Sequence, residues 1–365
     1  MKRFISFGSI GQFRTIIKKI SSLVQYIDID ENTKEAIYDK SIILPTIKAI
    51  GTEKIHGTNA SVCFSNSDGF WVQSRNNIID APNNPNFTGE ADNGECALNI
   101  YKNQEAWIEI IKNLTKYHNI DLNKEIISIY FEWSGGNIQR KSAVSGLDKR
   151  AIIFQYFKVS PSEPKLNRRG EETSRWIETK SINYLDNTDF NIFNIMNFPK
   201  VQLEIDFNNP SIAQYKMEKF IESIEKNSLV GKAFGIEKNI GEGYVFTFKF
   251  QKDIYRFKIK GNKHAKGKGK INTLSPVKKE FENKKINFIN NIACKEFRLD
   301  QIYNEVFDTI NGGKGDKKKM SNYLRAVILD VMKEESDIME EEGLTPKMVN
   351  GMISIVAKDY MLSRL

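Results

Sequence analysis

Apolar residues Phe13, Ile16, Ile17, Ile20, Leu23 and Val24 recur at helical spacing, which predicts a helix laid by one face against a core. From about residue 47 to 260 the texture turns mainly to β, with helices inserted. Ala60, Val62 and Phe64 alternate with Ser61, Cys63 and Ser65, the period of a half-buried strand. Residues 78 to 97 are rich in Asn, Asp, Pro and Gly and read as a surface loop. Helices are predicted over 104–116 and 212–226, and strands over 126–133 and 151–159. Along the strand from Tyr255 to Lys260, alternation points Tyr255, Phe257 and Ile259 one way and Arg256, Lys258 and Lys260 the other.

Large apolar side chains thin out after Lys260, and residues 261 to 286 read as a basic linker. Helical periodicity then returns. Leu299, Ile302, Tyr303, Val306 and Ile310 make one apolar face of a helix that Gly312 and Gly313 should stop. A second helix from about 318 carries Leu324, Val327, Ile328, Val331 and Met332. Thr345 and Pro346 suit the N-cap and first turn of a third, with Val349, Ile353, Val356 and Tyr360 inward. The chain thus divides into a domain over 1–260 (with 1–50 an extension packed on it), a linker over 261–286 and a helical domain over 287–365.

Composition narrows the class without deciding it. With 40% hydrophobic residues, 23 Phe and 13 Tyr, the 365-residue chain is a packed globule and not a disordered polymer. Its net charge of +8 suits a polyanionic partner. Cys63, Cys96 and Cys294 lack paired spacing and read as reduced thiols of a cytoplasmic protein. His56, His118 and His264 are too scattered for a zinc site. The start lacks the apolar core of a signal peptide, and no apolar run approaches membrane-spanning length.

Chemistry enters at Glu53-Lys54-Ile55-His56-Gly57-Thr58-Asn59. Its core has the form Lys-x-(Asp or His)-Gly, and further charged residues follow in order: Arg75, Glu132 in Tyr-Phe-Glu-Trp, Glu242 in Glu-Gly-Tyr-Val-Phe, and Lys258 with Lys260 in Phe-Lys-Ile-Lys. Taken alone, the last strand is an amphipathic edge with a solvated basic face, and Glu242 is a surface charge. Together the set resembles the covalent nucleotidyltransferases, and among them the ATP-dependent RNA ligase 2 family of nick-sealing and RNA-editing ligases. Asn59 stands where DNA ligases and capping enzymes usually have arginine, and with His56 it points to the RNA ligase branch. Two departures occur: Lys158 replaces an aspartate common after the aromatic segment, and Glu132 lies in Phe-Glu-Trp-Ser-Gly-Gly where a Gly-Glu start is usual. The recognisable motifs span 53 to 260; Phe297-Arg298-Leu299-Asp300 is only loosely similar to the family's C-terminal domain.

The resemblance implies an α+β nucleotidyltransferase domain of ATP-grasp-like adenylation type, with antiparallel sheets around a nucleotide cleft, followed by an all-helical C-terminal domain. It makes Lys54 the nucleophile toward ATP, gives Lys258 and Lys260 to the α-phosphate, and makes Glu242 a contact to Mg2+ or Mn2+. It gives Arg75 and Glu132 to the sugar, counts Asn59 among the nucleotide-binding residues, and gives Glu53 and Ile55 backbone contacts to the nucleotide. Phe154 matches the aromatic that stacks on adenine in relatives, with Phe157 as the rival. An amine near pKa 10 must be neutral to attack phosphorus, and nearby cations such as Lys258 and Lys260 would lower that value. The implied activity is ATP-dependent joining of 5′-phosphate and 3′-hydroxyl RNA ends by a monomer. Alternatives are a DNA ligase, a GTP-dependent capping enzyme, both of which lead one to expect a barrel in place of the helical tail, and a degenerate ligase fold that only binds RNA. Lys266, Lys268, Lys270 and the run Lys317 to Lys319 would reach RNA phosphates.

Overall fold

Alternation in the central segment builds two sheets whose apolar faces turn outward, each to its own core, and whose polar faces meet. The computed structural model describes residues 2–84, 87, 89, 92–139, 142–164, 166, 173–181, 189–237, 239–261, 284–309 and 312–365. Helix α1 spans Phe13–Gln25 and is followed by a small hairpin of β1 (Tyr26–Ile29) and β2 (Ala36–Tyr38). Next come β3 (Thr46–Glu53), β4 (Thr58–Ser65), β5 (Gly69–Ser74), β6 (Ile78–Ile79), α2 (Cys96–Lys102), α3 (Gln104–His118) and β7 (Glu125–Ser134). The chain continues through β8 (Arg150–Ile153), β9 (Tyr156–Pro161), β10 (Arg175–Glu178), β11 (Ile192–Asn194) and β12 (Val201–Asp206). Helices α4 (Ser211–Ile224) and α5 (Leu229–Ala233) precede the closing hairpin of β13 (Gly243–Phe250) and β14 (Asp253–Lys260).

The smaller sheet has the order β12-β3-β13-β14 and is antiparallel. The larger runs β10-β9-β7-β4-β5-β6, with β8 added to β7 and β11 to β8; β11 pairs with β8 in parallel. Ile127, Ile129, Phe131 and Trp133 of β7, with Ala60 and Val62 of β4, bury against Ala97, Trp107, Ile110 and Leu114 of α2 and α3. Alternation therefore turns Glu132 and Asn59, which are register partners, to the opposite face. In the smaller sheet Ala49, Tyr244, Phe246 and Phe257 pack with Phe13, Ile16 and Ile20 of α1 and Met217 of α4. The core face of α1 is the predicted one except at Leu23, which is exposed, and with no side-chain cap at its start the helix draws its stability from that packing.

Four expectations are corrected. β4 is not half-buried: Ser61, Cys63 and Ser65 are buried too, because Ile5, Trp71 and Ile126 cover Cys63 on the second face. The single strand over 151–159 is two, broken at Phe154 and Gln155. The segment 78–97 carries β6 and the start of α2, with Ile79, Asp92 and Gly94 buried. The predicted helix that Gly312 should stop, α6 (Glu296–Phe307), follows helical turns over 284–288 and Ile289–Ala293 and ends early, because Asp308 takes the left-handed conformation and Gly313 N–H donates to its carbonyl. Three further helices follow: α7 (Met320–Glu334), the short α8 (Ser336–Glu341) and α9 (Pro346–Leu362). Thr345 occupies the N-cap position of α9, yet its side chain makes no capping bond. Their apolar faces, including Leu299, Tyr323, Val327, Val331, Ile353 and Ala357, form a core of their own. Most of the expected basic linker, residues 262–283 with Lys266, Lys268 and Lys270, lies outside the described residues. No described helix is long and apolar enough to cross a membrane.

The passage from one sheet to the other is the four-residue stretch 54–57, and it is sterically tight. A Cβ on Gly57 would lie 2.3 Å from the Trp133 carbonyl oxygen, a backbone atom that cannot swing aside. Gly57→Ala should therefore destabilise the protein by about 1–3 kcal/mol, the usual cost of overpacking. Chemical denaturation checks this; an unchanged midpoint would mean that the crossover relaxes freely.

Candidate active site

Lys54 is the first residue after β3, and its backbone N–H donates to the Gly243 carbonyl at 2.9 Å. That bond ties the crossover to the start of β13, one residue beyond Glu242. Glycine is required there, because a Cβ on Gly243 would meet the Ile259 carbonyl oxygen at 2.0 Å. The Glu-Gly pair of the sequence motif thus lets β14 close tightly on β13 and delivers Glu242 beneath the lysine.

Glu242 is 1% exposed and lies among cations. Its Oε2 accepts from Lys54 Nζ at 2.8 Å and lies 3.2 Å from His56 Nδ1, while Lys260 Nζ stands 2.9 Å from Oε1. Burial disfavours its charge, but Lys260, Lys54 and His56 outweigh this and hold the carboxyl well below its ordinary range. The lysines respond in opposite directions. Burial pushes Lys260 down to about 8 against the pull of Glu242. Burial also favours neutral Lys54, yet Glu242 and then Glu132 prevail and raise its pKa. The expectation that neighbouring lysines lower the Lys54 pKa is therefore corrected for this state: the cations that could do so are themselves matched by carboxylates.

The other predicted residues reach the same cleft from both sheets. Glu132 Oε1 accepts from Gly57 N–H at 3.1 Å, and burial raises its carboxyl to about 7. Asn59 and Arg75 line the cleft, Arg75 just beyond the end of β5. Phe154 lines it too, in the break between β8 and β9, whereas Phe157 is fully buried in the core of the larger sheet. Ile55 packs into a cluster with Val144, Ile152 and Phe193. The Glu53 side chain points away from solvent and accepts from Ser228 Oγ at 2.6 Å and Val230 N–H at 2.8 Å, which anchors the start of α5 behind the motif. Burial raises Glu53 to about 7.

Several lining residues have no assigned role in the site as the sequence predicts it. The N-terminal strap contributes Ser6, Phe7, Gly8 and Ile10. It is stitched down where Ile5 exchanges bonds with Gln73 and where Lys158, the departure noted in the sequence, donates to the Ser6 carbonyl at 3.4 Å. Arg256 shares the cleft face of β14 with Lys258 and Lys260, and its guanidinium lies 4.1 Å from the Trp176 ring centroid and 5.2 Å from that of Phe7. Phe297 and Arg298 of α6 and Asp330 and Glu334 of α7 close the remaining side, with Lys260 Nζ 4.3 Å from the Phe297 ring centroid. A signal for the last pair exists in hindsight: two acids spaced i, i+4 beside the apolar stripe of Val327 and Val331.

Chemically the arrangement brings together an amine, fixed cations on one strand and an aromatic wall opposite, a set that suits a phosphate ester. A sequence model described as RNA ligase matches residues 47–260, from β3 to the end of β14. No curated protein matches. Among solved structures, Naegleria gruberi RNA ligase with PPi is similar at 15% identity and TM-score 0.38, over 72% of this chain and 58% of that one. A mutant of that enzyme with AMP and Mn is similar at 16% identity and the same TM-score and coverage. The chain thus spans 58% of the length of these structural relatives. By the match to the family's sequence model over more than half of its residues, this chain belongs to the RNA ligase family.

Proposed function

We propose that the protein is an ATP-dependent RNA ligase that seals 5′-phosphate and 3′-hydroxyl RNA ends, at nicks in duplex RNA, through lysyl-AMP and AMP-capped RNA. The observation that carries this reading is the pairing of Lys54 with buried Glu242, which also holds Lys260, in a cleft shared with Lys258, Arg75 and Glu132. In the first step the Lys54 amine, having lost its proton, forms a bond to the α-phosphorus as the bond to pyrophosphate breaks. A 5′-phosphate oxygen of RNA next takes the phosphorus and releases Lys54. Finally the 3′-hydroxyl attacks that 5′-phosphate, loses its proton and expels AMP.

Lys258 and Lys260 stabilise charge developing on the α-phosphate, and Phe154 stacks on the base. Arg75, Asn59 and Glu132 hold the sugar side. Ile55 and Glu53 keep the motif backbone in place toward the nucleotide. Arg256 adds a third cation to the same strand face. A divalent cation would neutralise phosphate charge, and such ions take one or two protein carboxylates with the rest from phosphate and water. Glu242 fits as that single carboxylate once Lys54 or Lys260 moves off it, since both its oxygens are otherwise engaged. Asn59 in place of arginine favours RNA ligase over DNA ligase or capping enzyme, and the helical C-terminal unit points the same way. The exposed turn Lys317–Lys319 suits RNA phosphates. Buried, unpaired Cys63, Cys96 and Cys294 suit a reducing cytoplasm, in a cell or an infected host, and a monomer is the simplest assembly.

Incubation with labelled ATP and a denaturing gel tests the reading directly. Lys54→Ala and Lys54→Arg should both abolish the labelled band, the second because guanidinium stays protonated. Label retained on either protein would remove Lys54 as nucleophile, and stronger labelling from GTP would favour capping chemistry. Lys258→Ala and Lys260→Ala should each slow labelling about a hundredfold, or about 2.7 kcal/mol of transition-state stabilisation. A near-normal rate in either variant would dissociate that lysine from the phosphate.

The raised Lys54 pKa and the lowered Lys260 pKa also fix the sign of the pH dependence. Rising pH frees the Lys54 amine, so kcat/KM for labelling should climb by about tenfold per unit below pH 8. Above about 8 Lys260 loses its charge, and the profile should flatten. Lys260→Arg should extend the climb to higher pH; a profile that falls between pH 6 and 8 would contradict the assignment.

A further inference from the structure

Arg75 and Lys258 do not stand free in the cleft. Arg75 Nη1 lies 3.1 Å from Asp330 Oδ1, its Nη2 pairs closely with Glu334 Oε1, and Lys258 Nζ lies 2.9 Å from Glu334 Oε2. A single carboxylate on α7 therefore bridges two cations from different sheets. These are the groups that the proposed function assigns to the sugar and the α-phosphate of ATP. Asp330 and Glu334 are four residues apart on α7 and present both acids together.

The helix is held from several sides. Asp330 Oδ2 accepts from Arg298 Nε at 2.9 Å, and Lys333 Nζ donates to Asn76 Oδ1 at 2.8 Å. Outside the cleft, Glu341 of α8 takes Arg14 at 2.8 Å and Lys18 at 3.0 Å, both from α1. Arg75 and Lys258 cannot serve Glu334 and a nucleotide at once, because the same guanidinium and ammonium groups would have to pair with both.

We infer that α7 is a carboxylate latch, an internal competitor that must leave the cleft before ATP enters, so that seating of the helical unit regulates self-adenylylation. The inference rests on the proposed function for the identity of the competing ligand. Its physical basis is linkage: a segment that binds the same cations as the nucleotide lowers apparent affinity by the fraction of molecules that are latched. Opening exchanges the carboxylates of Asp330 and Glu334 for the phosphates and hydroxyls of ATP. Salt bridges at the α1–α8 rim set the balance without touching the cleft.

The test uses full-length chains that cannot turn over. ATP affinity is measured by titration calorimetry for Lys54→Ala alone and combined with Glu334→Gln, Asp330→Asn, or Arg14→Ala. Each added change should tighten ATP binding, with Glu334→Gln doing so by roughly fivefold or more. Arg14→Ala is decisive, because that side chain only holds the latch from outside. In chains retaining Lys54, the same changes should lower the KM for labelling. Weaker binding in the Glu334→Gln protein would make Glu334 a positioning residue for substrate, and equal affinity in all backgrounds would show that the helix does not compete; either result overturns the latch. Failure of Lys54→Ala to bind ATP in any background, with no labelling of the parent chain, would instead overturn the proposed function.

Discussion

The buried carboxylate of Glu242 is the constraint on which the site depends. A charge almost wholly removed from water costs several kcal/mol unless it is matched, and removing one partner of such a set typically costs about 3–5 kcal/mol. Glu242 is matched by Lys54, His56 and Lys260, which come from the crossover between the sheets and from the end of β14. The need to satisfy one anion therefore gathers residues almost two hundred positions apart. Gly57 and Gly243 permit that gathering, because each sits where a Cβ would strike a backbone carbonyl.

The cleft follows from the placement of the two cores. Each sheet spends its apolar residues on its own helices, α2 and α3 on one side and α1 and α4 on the other. What remains around the cleft is largely polar and charged beside the rings of Phe7 and Phe154, with cations on β14 and carboxylates at Glu132 and Glu242. This surplus of buried or half-buried cations needs anions when no polyanionic ligand is present. The C-terminal helices meet part of that need with Asp330 and Glu334, so the helical unit takes part in the electrostatics of the cleft and does not merely follow it in sequence.

Where expectation and structure part, the reason is a partner remote in sequence. Alternation in β4 suggested one solvated face, but Ile5 and Trp71 cover it, and Ser61 and Ser65 are tolerated inside because Gln73 Nε2 donates to Ser61 Oγ and Asp68 N–H to Ser65 Oγ. The segment 151–159 has uniform β texture, yet its strands break at Phe154, whose N–H still donates to the Tyr130 carbonyl at 2.9 Å while the residue lines the cleft. Asp308 ends α6 by adopting a conformation usually left to glycine or asparagine, ahead of the glycine pair. The charge state of Lys54 is the most consequential case. Counting nearby lysines predicts a lowered pKa, whereas the three-dimensional arrangement places Glu242 closer than any of them.

By itself, the sequence determined the periodic elements and the ordered set of charged motifs, because these depend on neighbours two to four residues away and on short motifs with fixed spacing. Strand alternation was enough to place Arg256, Lys258 and Lys260 on one face, and helical periodicity was enough to find the apolar stripes of α1, α6, α7 and α9. Only the tertiary structure decided which of Phe154 and Phe157 lines the cleft, that Glu53 anchors α5, and that Glu334 joins Arg75 to Lys258. Those outcomes depend on the packing of segments far apart in the chain. Charge and burial at a point are sums over everything that the fold brings there, and no local pattern contains that sum.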